Sequence, residues 1–156
     1  MKIHQLSQTQ LLPISLQEAW DFFSSPLNLE KITSDDVGFE ILSISGDKVH
    51  PGQIISYKIT VPPGISMTWV TEITHVDPLK SFVDDQRYGP YSMWHHRHSF
   101  REVGGGTEVS DLVHYALPFS PFGEIAHRPF VRPQLDKIFA SRRKMLEEHF
   151  GRVPEE

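Results

Sequence analysis

Residues 82–100 read FVDDQRYGPYSMWHHRHSF. Two stretches with alternating side chains flank Gly89-Pro90, a pair typical of a turn, so the segment predicts an antiparallel hairpin. Successive side chains of a strand point to opposite faces. One face of the second strand therefore carries Trp94, His96, His98 and Phe100. We expect this face to point inward, because two aromatic rings that bracket two imidazoles form an apolar wall with polar points.

The same period of two continues on both sides of this hairpin, from Gly38 to Pro118. It predicts strands over 38–45, 53–61, 66–76, 80–88, 91–103 and 107–117, with turns at 45–47, 62–64, 77–78, 89–90 and 104–106. Strands joined in series by short turns favour an antiparallel meander. A further strand is predicted over 3–12.

The register of the 80–88 and 91–103 strands stays open. A three-residue loop at Gly89-Pro90 would place Asp84 opposite Trp94. A two-residue loop would shift the pairing by one and turn Met93 and His95 inward instead, since each such slip exchanges the faces.

Helical patterns flank the strands. Ser15 and Glu18 have the spacing of a capping box at the start of a helix over 16–24, and a second short helix is predicted over 27–32. Residues 119–128, with their prolines and glycine, are interpreted as a connection. A long helix is predicted over 130–150 with Gly151 as its C-terminal cap. One side of this helix carries Leu135, Phe139, Arg142, Leu146 and Phe150.

This order of elements resembles the helix-grip fold of the SRPBCC (START-like) superfamily. Residues 82–100, Gly105–Pro118, Ile138-Phe139, Arg142 and Arg143 are similar to its ligand-binding, polyketide cyclase-dehydrase-like subgroup. The resemblance implies an α+β fold: a curved seven-stranded antiparallel sheet wrapped around a long C-terminal helix, with two short helices between strands 1 and 2. It also implies one START-like ligand-binding domain over residues 1–156, of which about 151–156 form a short tail, and a cavity between the sheet and the helix.

Ten side chains are predicted to contact a ligand in that cavity, chosen by their strand or helix face and mostly aromatic or polar. They are Tyr57, Trp69, Trp94, His96, His98, Phe100, Asp111, Tyr115, Phe139 and Arg142. His96, His98 and Asp111 are also the candidates for a catalytic role, although no catalytic residue is assigned.

Asp111 is the unusual member, because the predicted inward face of its strand is otherwise Val109, Val113, Tyr115 and Leu117. A buried carboxylate is costly unless it is paired, and His96, His98 and Arg142 are the available partners. Two interpretations stay open. Asp111 either orients a histidine that exchanges a proton with the ligand, or it forms an ion pair that fixes the helix on the sheet.

A three-histidine metal site is excluded by strand geometry, because His95 must point away from His96 and His98. The remaining pair needs a third ligand such as Asp111 or Asp84. We expect neither a metal nor a cofactor.

The composition excludes several partners. The net charge is −5 without a broad basic face, which argues against nucleic acid, and no apolar run approaches the roughly 20 residues that span a bilayer. The lack of cysteine and of an apolar leader makes the cytoplasm the expected location. A homodimer is compatible with the sequence.

The function expected from these observations is binding of a small hydrophobic molecule (a lipid, a quinone or a polyketide-like compound) by a carrier or sensor. The alternative is a cyclase or dehydratase that uses a cavity histidine as general acid and base. Non-catalytic binding is taken as the first hypothesis, although both functions would use nearly the same residues. The chain contains no Gly-x-Ser-x-Gly, His-Glu-x-x-His or phosphate-loop motif.

Overall fold

A computed structural model describes residues 1–33, 38–61 and 64–154. Within them, seven strands form one antiparallel sheet in the order β1-β7-β6-β5-β4-β3-β2. The strands are β1 (His4–Leu12), β2 (Glu40–Ile44), β3 (Gln53–Val61), β4 (Ile65–Asp77), β5 (Ser81–Tyr88), β6 (Met93–Val103) and β7 (Gly106–Ala116). All seven predicted strands are present with ends within two residues of the prediction. Most of the turn predicted over 62–64 lies outside the described residues.

Two short helices connect β1 to β2, as predicted. Helix α1 (Leu16–Phe23) begins with the expected capping box: Ser15 Oγ accepts from the Glu18 N–H at 3.2 Å, and the Glu18 carboxylate accepts from the Ser15 N–H at 3.0 Å. A 3-10 helix follows over Pro26–Ile32. Both helices bury apolar side chains, among them Ala19, Phe23 and Ile32.

The C-terminal helix is longer than predicted. It comprises α2 (Phe122–Ala126), a π-helical turn (His127–Val131) and α3 (Arg132–Phe150), so the prediction of a connection through residue 128 is wrong. Gly123 does not break the helix. A Cβ at this position would overlap the Pro118 carbonyl oxygen, so the glycine permits close packing. The wide π turn ends two residues before Pro133, which has no N–H to donate.

The helix packs across the sheet through Leu135, Phe139 and Leu146, which are buried. Its first half joins a core cluster with β1, β6 and β7, and Leu146 joins a second cluster with α1, the 3-10 helix and the central strands. Interruptions in the ladder at Ile41/Ser43, Val70/Thr71 and Ile73/His75 mark bulges, which bend strands. The expected α+β helix-grip architecture is confirmed.

The β5–β6 pairing differs from both loop alternatives. Asp84 pairs with His96 and Phe82 with His98, so the register is two residues away from the one that places Asp84 opposite Trp94. The connection is held by the Gln86 side chain, which donates to the Tyr91 carbonyl at 2.7 Å and accepts from the Tyr91 N–H at 3.2 Å. A slip of two preserves the faces, so Asp84, Trp94, His96 and His98 share one side of the sheet.

Candidate functional site

A cavity of about 620 Å³ lies between the sheet and the C-terminal helix. Aromatic and aliphatic side chains form most of its wall. Among the predicted ligand contacts, those that line it are Tyr57, Trp69, Trp94, His96, His98, Phe139 and Arg142. The other three predicted contacts are buried nearby but are not lining residues.

These three side chains have other neighbours. Phe100 packs against Trp20 and Phe23 at ring-centroid distances of 5.6 and 5.5 Å. Tyr115 is hydrogen-bonded through its hydroxyl to His127 Nε2 at 2.8 Å. Asp111 lies behind the two histidines, in contact with both.

Four titratable side chains form a buried cluster on three adjacent strands. The β5–β6 register pairs Asp84 with His96, and the β6–β7 register pairs His98 with Asp111. The carboxylates thus flank the imidazoles from either side. We call Asp84, His96, His98 and Asp111 the His–Asp cluster.

Two short hydrogen bonds hold the His–Asp cluster together diagonally across the strands. His96 Nε2 donates to Asp111 Oδ1 at 2.8 Å, and His98 Nε2 donates to Asp84 Oδ2 at 2.7 Å. The imidazole rings lie next to each other with a centroid distance of 3.8 Å and are tilted by 34°. The pairing predicted for Asp111 is therefore present, with His96 as its hydrogen-bond partner.

The second nitrogen of each ring has a weaker contact. His96 Nδ1 lies 3.6 Å from Asp84 Oδ2. His98 Nδ1 lies 3.2 Å from Asp111 Oδ1, but the two atoms lack the alignment of a hydrogen bond, so this contact is an attraction between charges.

The two histidines have opposite pKa shifts. Burial and the charge of His98 lower the pKa of His96, despite both carboxylates. Burial also acts to lower the pKa of His98, but Asp111 and Asp84 outweigh it and the pKa is raised above its ordinary value of 6.5. At pH 6.5 His98 is therefore mostly protonated and His96 mostly neutral.

Both carboxylates remain ionised despite their burial. Burial would raise the pKa of Asp111, but the Arg142 charge and the hydrogen bonds from the histidines hold it well below its ordinary range. Burial likewise opposes ionisation of Asp84, and the charges and hydrogen bond of the histidines prevail, so its pKa is also lowered. Below pH 6.5, two carboxylates thus balance two cations, His98 and Arg142.

Arg142 acts on the His–Asp cluster from a distance. Neither Asp84 nor Asp111 forms an ion pair with its guanidinium, although α3 carries Arg142 on the cavity wall. The guanidinium carbon lies 5.9 Å from the centre of the Phe23 ring.

Sequence reasoning left most of the lining residues unassigned, among them Asp84 and Tyr91, which carry polar groups. Asp84 depended on the undecided register, and the alternation of Phe82, Asp84 and Gln86 was its available signal. Tyr91 was predicted to begin the strand over 91–103, but it stands in the loop before β6, and its ring packs 4.8 Å from that of Trp94. Burial raises the pKa of Tyr91, so its hydroxyl stays protonated.

No family model matches the chain, and no curated protein matches it. Several solved structures do match the chain. Protein Ms6760 from Mycobacterium smegmatis is 17% identical over 96% of each chain, with a TM-score of 0.68. Ara h 8.0201 is 13% identical over 94% of this chain and 99% of its own, with a TM-score of 0.60. The di-domain ARO/CYC protein BexL is 18% identical over 97% of this chain but 51% of its own, with a TM-score of 0.71.

The chain shares the helix-grip fold of these structures. Identities this low establish the fold alone, and the chain spans about half of BexL. In this helix-grip chain, the cavity is bounded on the sheet side by Asp84, His96 and His98 and on the helix side by Phe139 and Arg142. Across the described ranges, none of the helices is both long and apolar enough to cross a membrane.

Proposed function

We propose that the protein binds a small hydrophobic molecule, such as a lipid, a quinone or a polyketide-like compound, in this cavity and acts as its carrier or sensor. The observation that carries the proposal is the cavity of about 620 Å³ with a mostly apolar wall. Sites for small molecules typically measure about 300–1,000 Å³ and combine apolar walls with a few polar groups.

The His–Asp cluster supports a ligand with one polar end. His96 donates its Nε2 hydrogen to Asp111, so in the neutral ring the lone pair is on Nδ1. A ligand hydroxyl near this nitrogen could donate to it. Arg142, on the helix side, could donate to a carbonyl oxygen. The apolar remainder would pack among the aromatic rings.

The pairing within the His–Asp cluster favours a role toward the ligand. If the cluster served only to fix the helix on the sheet, Asp84 or Asp111 would be expected to form an ion pair with Arg142. Neither carboxylate forms one. The helix is attached elsewhere: Gln10 donates to the Arg143 carbonyl at 3.0 Å, and Arg143 donates to the Thr9 carbonyl at 3.0 Å.

Binding can be tested with N-phenyl-1-naphthylamine, a neutral apolar dye, and by native mass spectrometry of untagged protein for a copurifying molecule. Ile138→Trp places an indole on the cavity wall and is expected to weaken dye binding at least about tenfold, or roughly 1.4 kcal/mol. Ala140→Trp adds the same side chain to the exposed side of α3 and should leave binding unchanged. Equal effects, or a wild type that binds neither dye nor copurifying molecule, would overturn the proposal.

A second candidate is a cyclase or dehydratase, and the neutral His96 on the cavity wall favours it. A buried imidazole held by a carboxylate can accept a proton from a bound substrate. The fold of the ARO/CYC proteins BexL and StfQ is compatible with this chemistry, at 18% and 9% identity. Once a ligand is identified, His96→Gln separates the two candidates. Lost turnover with retained binding supports the enzyme, whereas lost binding without any turnover in the wild type supports the carrier.

A further inference from the structure

We propose that Asp84, His96 and His98 form a binding site for one divalent transition-metal ion on the cavity wall. One ligand atom from each of these residues lies within 4.8 Å of the other two. Two imidazole nitrogens and one carboxylate oxygen are the ligand set of many sites for iron, zinc and related ions. The sequence offered the histidine pair without a settled third ligand, and the β5–β6 register supplies Asp84.

The positions of the nitrogens fit metal coordination. His96 Nδ1 and His98 Nε2 both approach Asp84 Oδ2, at 3.6 and 2.7 Å. An ion among these three atoms would replace the His98–Asp84 hydrogen bond with two metal bonds. The Nε2 proton of His98 would then pass to solvent, and the neutral ring would carry its hydrogen on Nδ1.

Asp111 is placed as the supporting carboxylate. It accepts from His96 Nε2, the nitrogen opposite the proposed metal ligand. It also lies 3.2 Å from His98 Nδ1, a buried nitrogen without a hydrogen-bond partner in the present arrangement. Metal-binding histidines almost always donate their second N–H to such a group, which fixes the tautomer and ring orientation. One carboxylate oxygen thus serves both rings.

The charges also fit. With both histidines neutral, a divalent cation balances Asp84 and Asp111, and Arg142 leaves one excess positive charge beside the cavity. The ion has protein ligands on the sheet side, while all three of these residues line the cavity. A ligand oxygen could complete the coordination and be polarised there. This last role rests on the proposed function, whereas metal binding itself does not.

The test uses the full chain without a His tag, stripped with a chelator. Calorimetric titration with Zn²⁺ should give a stoichiometry of one, and Co²⁺ should give visible absorption bands from the bound ion. We expect Asp84→Asn and His98→Gln to abolish the bands. Asp111→Asn should weaken Zn²⁺ binding by about 10- to 100-fold, the usual effect of losing such a supporting group.

Two controls test the location. His95→Gln changes the histidine of the neighbouring pair on the opposite face of β6, where His95 Nδ1 and Asp85 Oδ1 lie 2.7 Å apart. His127→Gln changes the ring stacked on His4 at 3.7 Å. Both variants should bind Zn²⁺ like the wild type. The metal site is refuted if the wild type binds no Zn²⁺ at 100-fold molar excess. It is also refuted if the Co²⁺ absorption bands remain in His98→Gln but are lost in His95→Gln or His127→Gln.

Variant folding does not decide the outcome, because the wild-type titration alone can refute the site. Dye binding by the chelator-treated wild type distinguishes the two proposals. If the dye binds and Zn²⁺ does not, the carrier proposal stands without the metal. If Zn²⁺ binds and Ile138→Trp has no effect on the dye, the metal site stands and the carrier proposal fails.

Discussion

Replacing Asp111 by asparagine is expected to destabilise the protein by about 3 kcal/mol. The asparagine side chain has nearly the same size and can still accept from His96, but it removes one negative charge from a cluster in which two carboxylates balance His98 and Arg142. Breaking a buried pair costs roughly 3–5 kcal/mol, and the retained hydrogen bond places the expected value at the lower end. For a chain of this length, that corresponds to a fall in Tm of roughly 6–12 °C.

The chain contains a matched control on the opposite face of β6, where His95 is paired with Asp85 of β5. His95 and Asp85 are the same residue types at 2.7 Å, close to the 2.8 Å of His96 and Asp111. Their exposure differs: the side chains of His95 and Asp85 are 43% and 24% exposed, against 7% and 8% for His96 and Asp111. Asp85→Asn should therefore cost below about 1 kcal/mol, as for other solvent-exposed pairs.

Both variants can be measured by urea unfolding at pH 6, below the ordinary pKa of histidine, in the presence of a chelator, with circular dichroism and tryptophan fluorescence as independent probes. The difference in the free energy of unfolding should be at least about 2 kcal/mol, with unchanged m-values. If the two variants lie within about 0.5 kcal/mol of each other, the argument from buried charge balance is wrong. A double-mutant cycle with His98→Gln should show a double variant less destabilised than the sum, because it removes one charge of each sign.

Two further predictions concern the pH dependence of stability and the hydrogen bond between Tyr115 and His127. The raised pKa of His98 contributes stability that is fully present below the unfolded value of about 6.5 and is lost as the pH rises through the folded value. The wild type should therefore exceed His98→Gln in stability by a margin that shrinks as the pH rises above 6.5, which a urea series across this range measures; a constant or growing margin contradicts the shift. Tyr115→Phe removes the 2.8 Å hydrogen bond to His127 and should cost about 1 kcal/mol in the same assay. Tyr88→Phe, whose ring is exposed, should cost nearly nothing.

The strands and the first helix were predictable because their signals are local. Alternation of apolar and polar residues fixes which side chains are buried, and the spacing of Ser15 and Glu18 fixes the start of α1. The start of the C-terminal helix was not predictable in this way. Gly123 is required by close packing against the Pro118 carbonyl, which is a tertiary contact, whereas glycine in a sequence favours a loop.

The candidate site was predictable up to the pairing of strands. The alternation of side chains along a strand placed His96 and His98 on one face. Because an unpaired carboxylate is costly to bury, Asp111 was expected to have a partner. Asp84 could not be assigned, because its neighbour depends on the loop at Gly89-Pro90 and on the Gln86 contacts with Tyr91. A register choice in one hairpin therefore decides whether the histidines meet one carboxylate or two.

The second carboxylate changes what the histidines can do. With Asp111 alone, the arrangement would be a buried histidine held in one tautomer. Asp84 adds an acceptor on the cavity side, and together with Asp111 it raises the pKa of His98, whereas burial lowers the pKa of His96. Neighbouring groups of the same type whose pKa values are shifted in opposite directions can give and take a proton at one place or exchange that proton for a metal ion. Since Asp84 lines the cavity and Asp111 does not, either process would occur on the side where a ligand oxygen could approach.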